Sequence, residues 1–256
     1  MSSETPYLVP ALERGLRLLE YLAAHPGGVT TAELGTLQLP SASLYRLLST
    51  LVHLHYVERE EGDRYRLSRK LLSLGYRSID EAGLTQQASG QLRKLRDRTG
   101  ETAFLAVLYG REGVVIDEVV STQPVKVTVQ IGHHFPLHTA APGKAILAFL
   151  PEREREELLR DYPFTRFTAA TLDNATAFAH ELETVRANGV AFDRGEELEE
   201  IRCAGAPVFD RNGRPVAAIW ISAPRSRLGD EKLEQTGREV RRAADAITRN
   251  LVTEGV

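Results

Sequence analysis

The side chains best suited to chemistry with a partner lie between Thr30 and Leu67. Within this segment, leucines recur at the i, i+3, i+4, i+7 spacing of one helical face: Leu44, Leu47, Leu48 and Leu51. The opposite face carries Arg46 among small and hydroxyl-bearing residues. A guanidinium can donate two hydrogen bonds to the edge of a guanine, and hydroxyl groups can bond phosphates or bases. A short helix with such a free face fits the major groove of DNA.

Nine residues are therefore candidates for contacting DNA: Thr30, Thr31, Ser41, Ser43, Tyr45, Arg46, Ser49, Arg64 and Arg66. Arg46 is the candidate for reading a base, and the serines bond bases or phosphates. The two threonines lie at a helix N-terminus, which suits a phosphate. The hydroxyl of Tyr45 can reach a phosphate, or its ring can pack on the first helix. The last two arginines suit a backbone or minor-groove contact, or form a solvated face.

The sequence predicts three helices that would position the candidate residues before the hairpin. Apolar spacing predicts the first helix over residues 10–24, with a buried stripe at Leu12, Leu16, Leu19 and Leu22. A short second helix is expected over roughly 31–38, with Thr30 and Glu33 spaced as a capping box. Its inward residues are Ala32, Leu34 and Leu37. The third helix starts at Pro40-Ser41, with Ser41 as the N-cap.

A β-hairpin follows the third helix. Residues 56–59 and 64–67 alternate with period two, and the loop between them contains Gly62. The alternation turns Tyr65 and Leu67 toward the helices and Arg64 and Arg66 outward. Three helices and a hairpin make a winged helix-turn-helix domain over residues 1–67, although the hairpin can also be a plain structural edge.

The remaining chain reads as a linker helix over 68–83 and a second domain over 84–256. Helices are expected over about 84–99, 144–150, a charged segment from Pro151 to Tyr162, 175–188 and about 230–252. Strands are expected over 102–109, 114–120, 125–131, 190–193, 201–209 and 215–223. The last helix carries a seam at Leu233, Gly237, Val240, Ala244, Ile247 and Leu251, which suits packing on its own sheet better than a coiled coil. The fold class is α+β.

Composition narrows the function classes. The chain has 256 residues, a net charge of −3 and one cysteine, so an intrachain disulfide is excluded. It has neither a membrane-length apolar run nor a secretory signal at its start, which favours a cytoplasmic protein without a membrane partner. It also lacks a nucleophile elbow, a P-loop and a dinucleotide-binding glycine motif. We expect no enzymatic activity, no cofactor and no metal. An enzyme of an unrecognised class and a winged-helix protein-interaction module stay as alternatives.

Four blocks make the chain resemble the IclR family of bacterial transcriptional regulators: SASLYRLLSTL, PLHTAAPGKAIL, GVAFDRGEELEEIRCAGAPVFD and PVAAIWISAP. The resemblance covers nearly the whole chain. It implies a GAF-like α/β effector-binding domain, homodimers or dimers of dimers, a palindromic DNA operator and a small-molecule effector such as an organic acid. Family members usually have Gly where this chain has His55, which implies a positive φ at that position.

The resemblance also implies an effector site. The positions that match the family's ligand contacts are Ala141, Pro142, Asp193, Ile201, Cys203, Trp220 and Ser222. His138 is a further candidate, as a hydrogen-bond donor. Free N–H groups at the helix that Ala141-Pro142-Gly143 opens favour a carboxylate, although Pro142 lacks one donor. Position 220 is often small or polar in members that bind short acids. Trp220 therefore disfavours a two- or three-carbon acid, unless it is simply a core aromatic.

Three further interpretations concern the second domain. Cys203 can be a redox switch, but a lone cysteine in an apolar strand is more often inert packing. The spacing of His133, His134 and His138 is only a weak indication of a metal site, and we expect these histidines to bind no metal. The proposed mechanism is allosteric: an effector changes the spacing of two recognition helices through the linker helix.

Overall fold

The computed structural model describes residues 7–71, 74 and 83–254. The chain divides into two compact units, Met1–Glu81 and Ala82–Val256. Residues 69–71 of the predicted linker helix are helical, and most of that segment lies outside the described residues. No helix of the described residues is long and apolar enough to cross a membrane.

The first unit is a small helical domain with a three-stranded sheet. Its helices are α1 (Pro10–Ala23), a 3₁₀ helix (Glu33–Leu37) and α2 (Ser41–His53), and its strands are β1 (Val29–Thr30), β2 (Val57–Glu60) and β3 (Arg64–Leu67). The antiparallel sheet has the order β1-β3-β2, so β1 adds a strand to the predicted hairpin. Leu18, Leu34, Leu48 and Tyr65 meet in its core, while Arg64 and Arg66 face outward as predicted.

The first helix buries only part of the predicted stripe. Leu22 is buried and Leu19 packs against the core, as predicted, whereas Leu12 and Leu16 are exposed. Gly15 and Leu18 are buried instead. Gly15 faces α2, where a Cβ would lie in ordinary van der Waals contact, 3.7 Å from Leu47 Cδ2. The buried face of α1 is the one that meets the rest of the core, and the spacing of leucines in α1 alone does not select it.

The short helix expected over roughly 31–38 is present as a 3₁₀ helix of five residues, Glu33–Leu37. Leu34 is buried and Leu37 packs against the same core, as predicted, whereas Ala32 precedes the helix and is exposed. Ser41 does not cap α2, because the N-cap residue is Pro40 and no side chain accepts a capping hydrogen bond. The proline holds the extended backbone that a helix start requires.

The end of α2 confirms the expected backbone at His55. Its φ is 60°, and it lies in the left-handed region. Tyr56 N donates to Leu51 O at 2.8 Å, and His55 N donates to Val52 O at 2.9 Å. This pair of bonds is the Schellman pattern that ends many helices, usually with Gly at the left-handed position.

The second unit is one antiparallel sheet flanked by helices. Its strands are β4 (Thr102–Tyr109), β5 (Glu112–Val119), β6 (His134–Pro136), β7 (Ala191–Asp193), β8 (Ile201–Phe209) and β9 (Pro215–Pro224), in the order β6-β5-β4-β9-β8-β7. Its helices are α3 (Leu84–Thr99), α4 (Ala141–Leu147), α5 (Glu152–Leu159), α6 (Ala175–Asn188) and α7 (Asp230–Glu254).

The sheet has an apolar core on each face. Alternate residues of β9 divide between them: Ile219 and Ile221 pack with α3 and α7, while Ala218 and Trp220 pack with α4 and α6. The seam of α7 is buried against its own sheet, as predicted. The face that α4 and α6 cover is where the predicted effector residues lie.

The structure corrects two boundaries near that face. Residues 125–131 do not form the predicted strand; the third strand at this edge is β6, where His134 pairs with Val114. The carbonyl of Val127 instead accepts a hydrogen bond from Thr102 Oγ1 at 2.6 Å. Helix α4 begins at Ala141, three residues before the predicted start.

Candidate DNA interface and effector site

Helix α2 presents a polar face to solvent because its leucines are held in the core. Leu44 and Leu48 are buried, whereas Tyr45 is 69% exposed and does not pack on α1. The exposed face consists of Ser41, Ala42, Tyr45, Arg46, Ser49, Thr50 and His53, and Ser43 is half-buried beside it. The side chain of Arg46 is thus exposed to solvent, as expected for a guanidinium that reads a base edge in the major groove.

The two threonines before the 3₁₀ helix differ in their availability. Thr30 N donates to Glu33 Oε2 at 2.7 Å, and Thr30 Oγ1 donates to the same oxygen at 2.9 Å. Glu33 N donates back to Thr30 Oγ1 at 3.3 Å, which completes the predicted capping box. These hydrogen bonds hold the pKa of Glu33 below its ordinary value. Thr31 is exposed, so it is the more available of the two for a phosphate.

The two arginines of β3, Arg64 and Arg66, have partners within the chain. Arg66 pairs with Glu58 at 2.9 Å and with Glu60 at 2.9 Å, and Arg64 Nη1 donates to Gly28 O at 2.8 Å. The alternation of charges along β2 and β3 is the signal for these pairs, because the strand register sets Glu58 opposite Arg66. Exposed ion pairs of this kind contribute at most about 1 kcal/mol, so Arg66 can exchange its carboxylates for a phosphate.

Three predicted effector residues form a closed polar group in the second unit. Trp220 Nε1 donates to Ser222 Oγ at 3.1 Å, and Cys203 Sγ lies 3.1 Å from the same hydroxyl. The indole stacks on Phe104 at 4.8 Å between ring centroids and meets the edge of Phe135 at 5.7 Å. Trp220 is 5% exposed, so it fills space on this face of the sheet.

Asp193 adjoins this group across the sheet, where it pairs with Cys203. Its Oδ1 accepts hydrogen bonds from Gly195 N at 2.9 Å and Glu196 N at 2.7 Å. Burial raises the pKa of Asp193, although the two N–H groups and Lys144 oppose the rise. Burial also raises the pKa of the Cys203 thiol well above its ordinary value. A protonated, buried thiol favours packing over redox reactivity.

The start of α4 is placed over β8 beside these residues. A Cβ on Gly205 would lie 3.0 Å from the carbonyl carbon of Ala141 and 3.1 Å from Pro142 N, so glycine permits the close approach. Ile201 is half-buried and packs against the same core. The structure therefore gathers the motif-derived residues on the α4 side of the sheet.

His138 lies apart from the other two histidines of its segment. It is 1% exposed, and its Nε2 lies 2.9 Å from Thr165 O, while His134 is exposed and bonds Glu112. Burial lowers the pKa of His138 below its ordinary value. In the part of the chain that the structure describes, no three His, Cys, Asp or Glu side chains are grouped to hold a metal.

A buried ion pair that was not predicted lies beside His138. Lys144 is fully buried, and its Nζ lies 2.5 Å from Glu196 Oε1 and 3.5 Å from Glu181 Oε1. Burial raises the pKa of Glu196 to about 7, and Lys144 opposes that rise. A lysine within the apolar run around PGKAIL is the one signal that could have pointed to a buried carboxylate partner.

Comparison with known proteins identifies both units. A family model described as "IclR helix-turn-helix domain" matches residues 11–61, and one described as "Bacterial transcriptional regulator IclR C-terminal" matches residues 76–249. The HTH-type transcriptional regulator XynR of Escherichia coli is 32% identical over 95% of this chain and 98% of its own length. The transcriptional repressor IclR of Escherichia coli is 33% identical over 94% of this chain and 89% of its own length.

A solved structure agrees with these matches. The crystal structure of Thermotoga maritima IclR has a TM-score of 0.76 and 31% identity, and the match covers 94% of this chain and 98% of that one. The likeness confirms the predicted α+β fold with an N-terminal helix-turn-helix unit. The relatives are named transcriptional regulators, which confirms the prediction of a regulator instead of an enzyme. The chain belongs to the IclR family of bacterial transcriptional regulators.

Proposed function

We propose that α2 enters the major groove of a palindromic operator and that Arg46 reads a guanine there. The observation that carries this proposal is the exposed face of α2, whose polar side chains are free because Leu44 and Leu48 anchor the helix. In this proposal Thr31, Ser41, Ser43, Tyr45 and Ser49 supply phosphate or base contacts, and Arg64 and Arg66 contact the adjacent DNA backbone. Two recognition helices of a homodimer, or of a dimer of dimers, read the two half-sites.

The second unit is the sensor in this proposal. An organic acid or related small metabolite binds on the sheet face that carries Asp193, Cys203, Trp220 and Ser222. Because the indole fills this face and occupies the Ser222 hydroxyl, the effector is larger than a three-carbon acid or displaces the indole. Binding changes operator affinity through the segment 68–83, since the spacing of recognition helices must match the half-sites. With DNA as its partner, the protein works in the cytoplasm.

A mobility shift with the intergenic DNA upstream of the protein's own gene tests the regulatory function. We expect a discrete complex with that DNA at concentrations that leave unrelated DNA of equal length free. Equal binding to both DNAs, or to neither, would contradict sequence-specific recognition and favour a protein-interaction role for the winged helix.

Thermal-shift screening of the full chain against metabolites of the neighbouring genes tests the sensor role. We expect a compound that raises the melting temperature also to change operator affinity. A stabilising compound that leaves operator affinity unchanged would contradict the coupling while leaving DNA recognition intact.

A further inference from the structure

A buried polar cluster lies on the α4 side of the sheet, apart from the group around Ser222. Its members are His138, Lys144 and Glu196, and each is at most 5% exposed. Glu181 of α6 joins them through Lys144, and its side chain is 24% exposed. The cluster therefore has one side that leads toward solvent.

Three chain segments are tied together at this cluster by hydrogen bonds. The segment 165–171 contacts His138 through Thr165 O, and its Thr171 Oγ1 donates to Glu196 O at 2.6 Å. Thr168 Oγ1 donates to Gly195 O at 2.7 Å. The salt bridge from Lys144 to Glu196 joins the same loop to α4. Two threonine hydroxyls thus hold the loop that carries Glu196 against the segment 165–171, which also contacts His138.

Two buried atoms of the cluster are left without a hydrogen-bond partner among the described residues. They are His138 Nδ1 and Glu196 Oε2. Because Nε2 faces the carbonyl of Thr165, Nε2 carries the proton and Nδ1 is an acceptor in the neutral ring. Carboxylate Oε2 is also an acceptor. Buried acceptors are almost always satisfied in folded proteins, so both atoms point to a group that donates hydrogen bonds.

We infer that His138 Nδ1 and Glu196 Oε2 form a subsite that receives hydroxyl groups of the effector, so that the effector is a hydroxylated compound such as a polyhydroxy acid. This inference rests on the proposed sensor role of the second unit. Glu196 also adjoins the Asp193 group, since its N–H donates to Asp193 Oδ1 at 2.7 Å. We therefore expect one ligand to contact both groups.

Charge disfavours both a carboxylate and an ammonium group in this subsite. A carboxylate would lie beside Glu196 and Glu181 and would offer no donor. An ammonium group at Glu196 Oε2 would lie close to the ammonium of Lys144, which holds the other oxygen of the same carboxylate. Repulsion between like charges is strong in a buried site. A neutral hydroxyl meets neither objection.

A matched panel tests the ligand class on the full-length protein. The probes are threonate and gluconate, their deoxygenated partners butyrate and hexanoate, and 6-aminohexanoate. Thermal shift and calorimetry are expected to show at least one hydroxylated probe that binds about tenfold or more tightly than its deoxygenated partner and than the amino acid. Failure of every hydroxylated probe to exceed its partner would overturn the inference, as would equal binding of 6-aminohexanoate.

Two variants test the residues with the probe that binds. His138→Gln can keep a donor to Thr165 while removing the Nδ1 acceptor, and Glu196→Gln can keep the acceptor for Lys144 while making the second position a donor. We expect each to weaken binding about tenfold. His180→Gln and Glu199→Gln, at exposed positions, serve as controls that retain wild-type affinity.

Circular dichroism establishes that each variant is folded before titration, and His138→Gln decides the result if Glu196→Gln does not fold. Wild-type affinity in a folded His138→Gln variant would overturn the inference. Failure of this inference can be told apart from failure of the proposed regulatory function. A compound without hydroxyl groups that releases the operator would leave the regulator intact and refute only this subsite.

Discussion

The indole N–H of Trp220 donates to the hydroxyl of Ser222, 3.1 Å away, on the face where the effector is proposed to bind. This bond engages one of the polar groups that the effector would otherwise use. The indole also stacks on Phe104 and is almost wholly buried. Trp220 is the single tryptophan of the chain, so its fluorescence reports on this face alone.

Trp220→Ala is expected to lower the free energy of unfolding by about 3–5 kcal/mol, because it removes a large buried ring and leaves a cavity. Urea denaturation followed by circular dichroism measures the change. Phe167→Ala is the matched control, since that ring is 46% exposed and its loss should cost much less. Equal losses for the two variants would contradict the packing role of the indole.

Glu196 makes the stability of the protein depend on pH. Its pKa is raised from 4.5 to about 7 in the folded state, so the folded protein binds more protons than the unfolded chain between these values. Stability from this group is therefore fully present below about pH 4.5 and is lost as pH rises through 7, by an amount on the order of 3 kcal/mol.

Urea denaturation between pH 5 and 8 measures this dependence. We expect Glu196→Gln to flatten the decline relative to the wild type, whereas Glu199→Gln, at an exposed position of the same loop, should leave it unchanged. A slope in the Glu196→Gln variant that equals the wild-type slope would assign the pH dependence to other groups.

His55→Gly is expected to raise the free energy of unfolding by about 0.5–1 kcal/mol, because glycine adopts a φ of 60° without the steric cost that histidine carries. His53→Gly, within α2, should instead be destabilising by about 1 kcal/mol. Thermal and urea denaturation of both variants give the comparison. Destabilisation by His55→Gly would mean that the imidazole makes a contact worth more than the strain.

Much of the second unit follows from local signals. The predicted bounds of Leu84–Thr99, Thr102–Tyr109, Ala175–Asn188 and Ile201–Phe209 agree with the structure, because glycine stops and clear periodicity mark their ends. The segment 125–131 has the same alternation without being a strand. Its carbonyl at Val127 is bonded by a side chain of β4, which no local pattern reveals.

Long-range packing accounts for the other differences. Leucines lie on more than one face of α1, and packing against the rest of the core buries Leu18 and Leu22 while Leu12 and Leu16 stay exposed. The pair Lys144–Glu196 joins residues 52 positions apart, and Glu196 lies in an acidic run that suggests a solvated surface. The exposed polar face of α2 was simpler to predict, because it requires only the period of one helix.

The affinity of the full-length protein for its operator, with and without the Arg46 guanidinium, tests the central proposal most directly. Fluorescence anisotropy with labelled upstream DNA should show that Arg46→Ala weakens specific binding by about 1–3 kcal/mol and relaxes discrimination at one base pair of each half-site. Arg153→Ala, at an exposed arginine of the second unit, should retain wild-type affinity. Unchanged operator affinity in a folded Arg46→Ala variant would contradict the assignment of α2 as the reading helix.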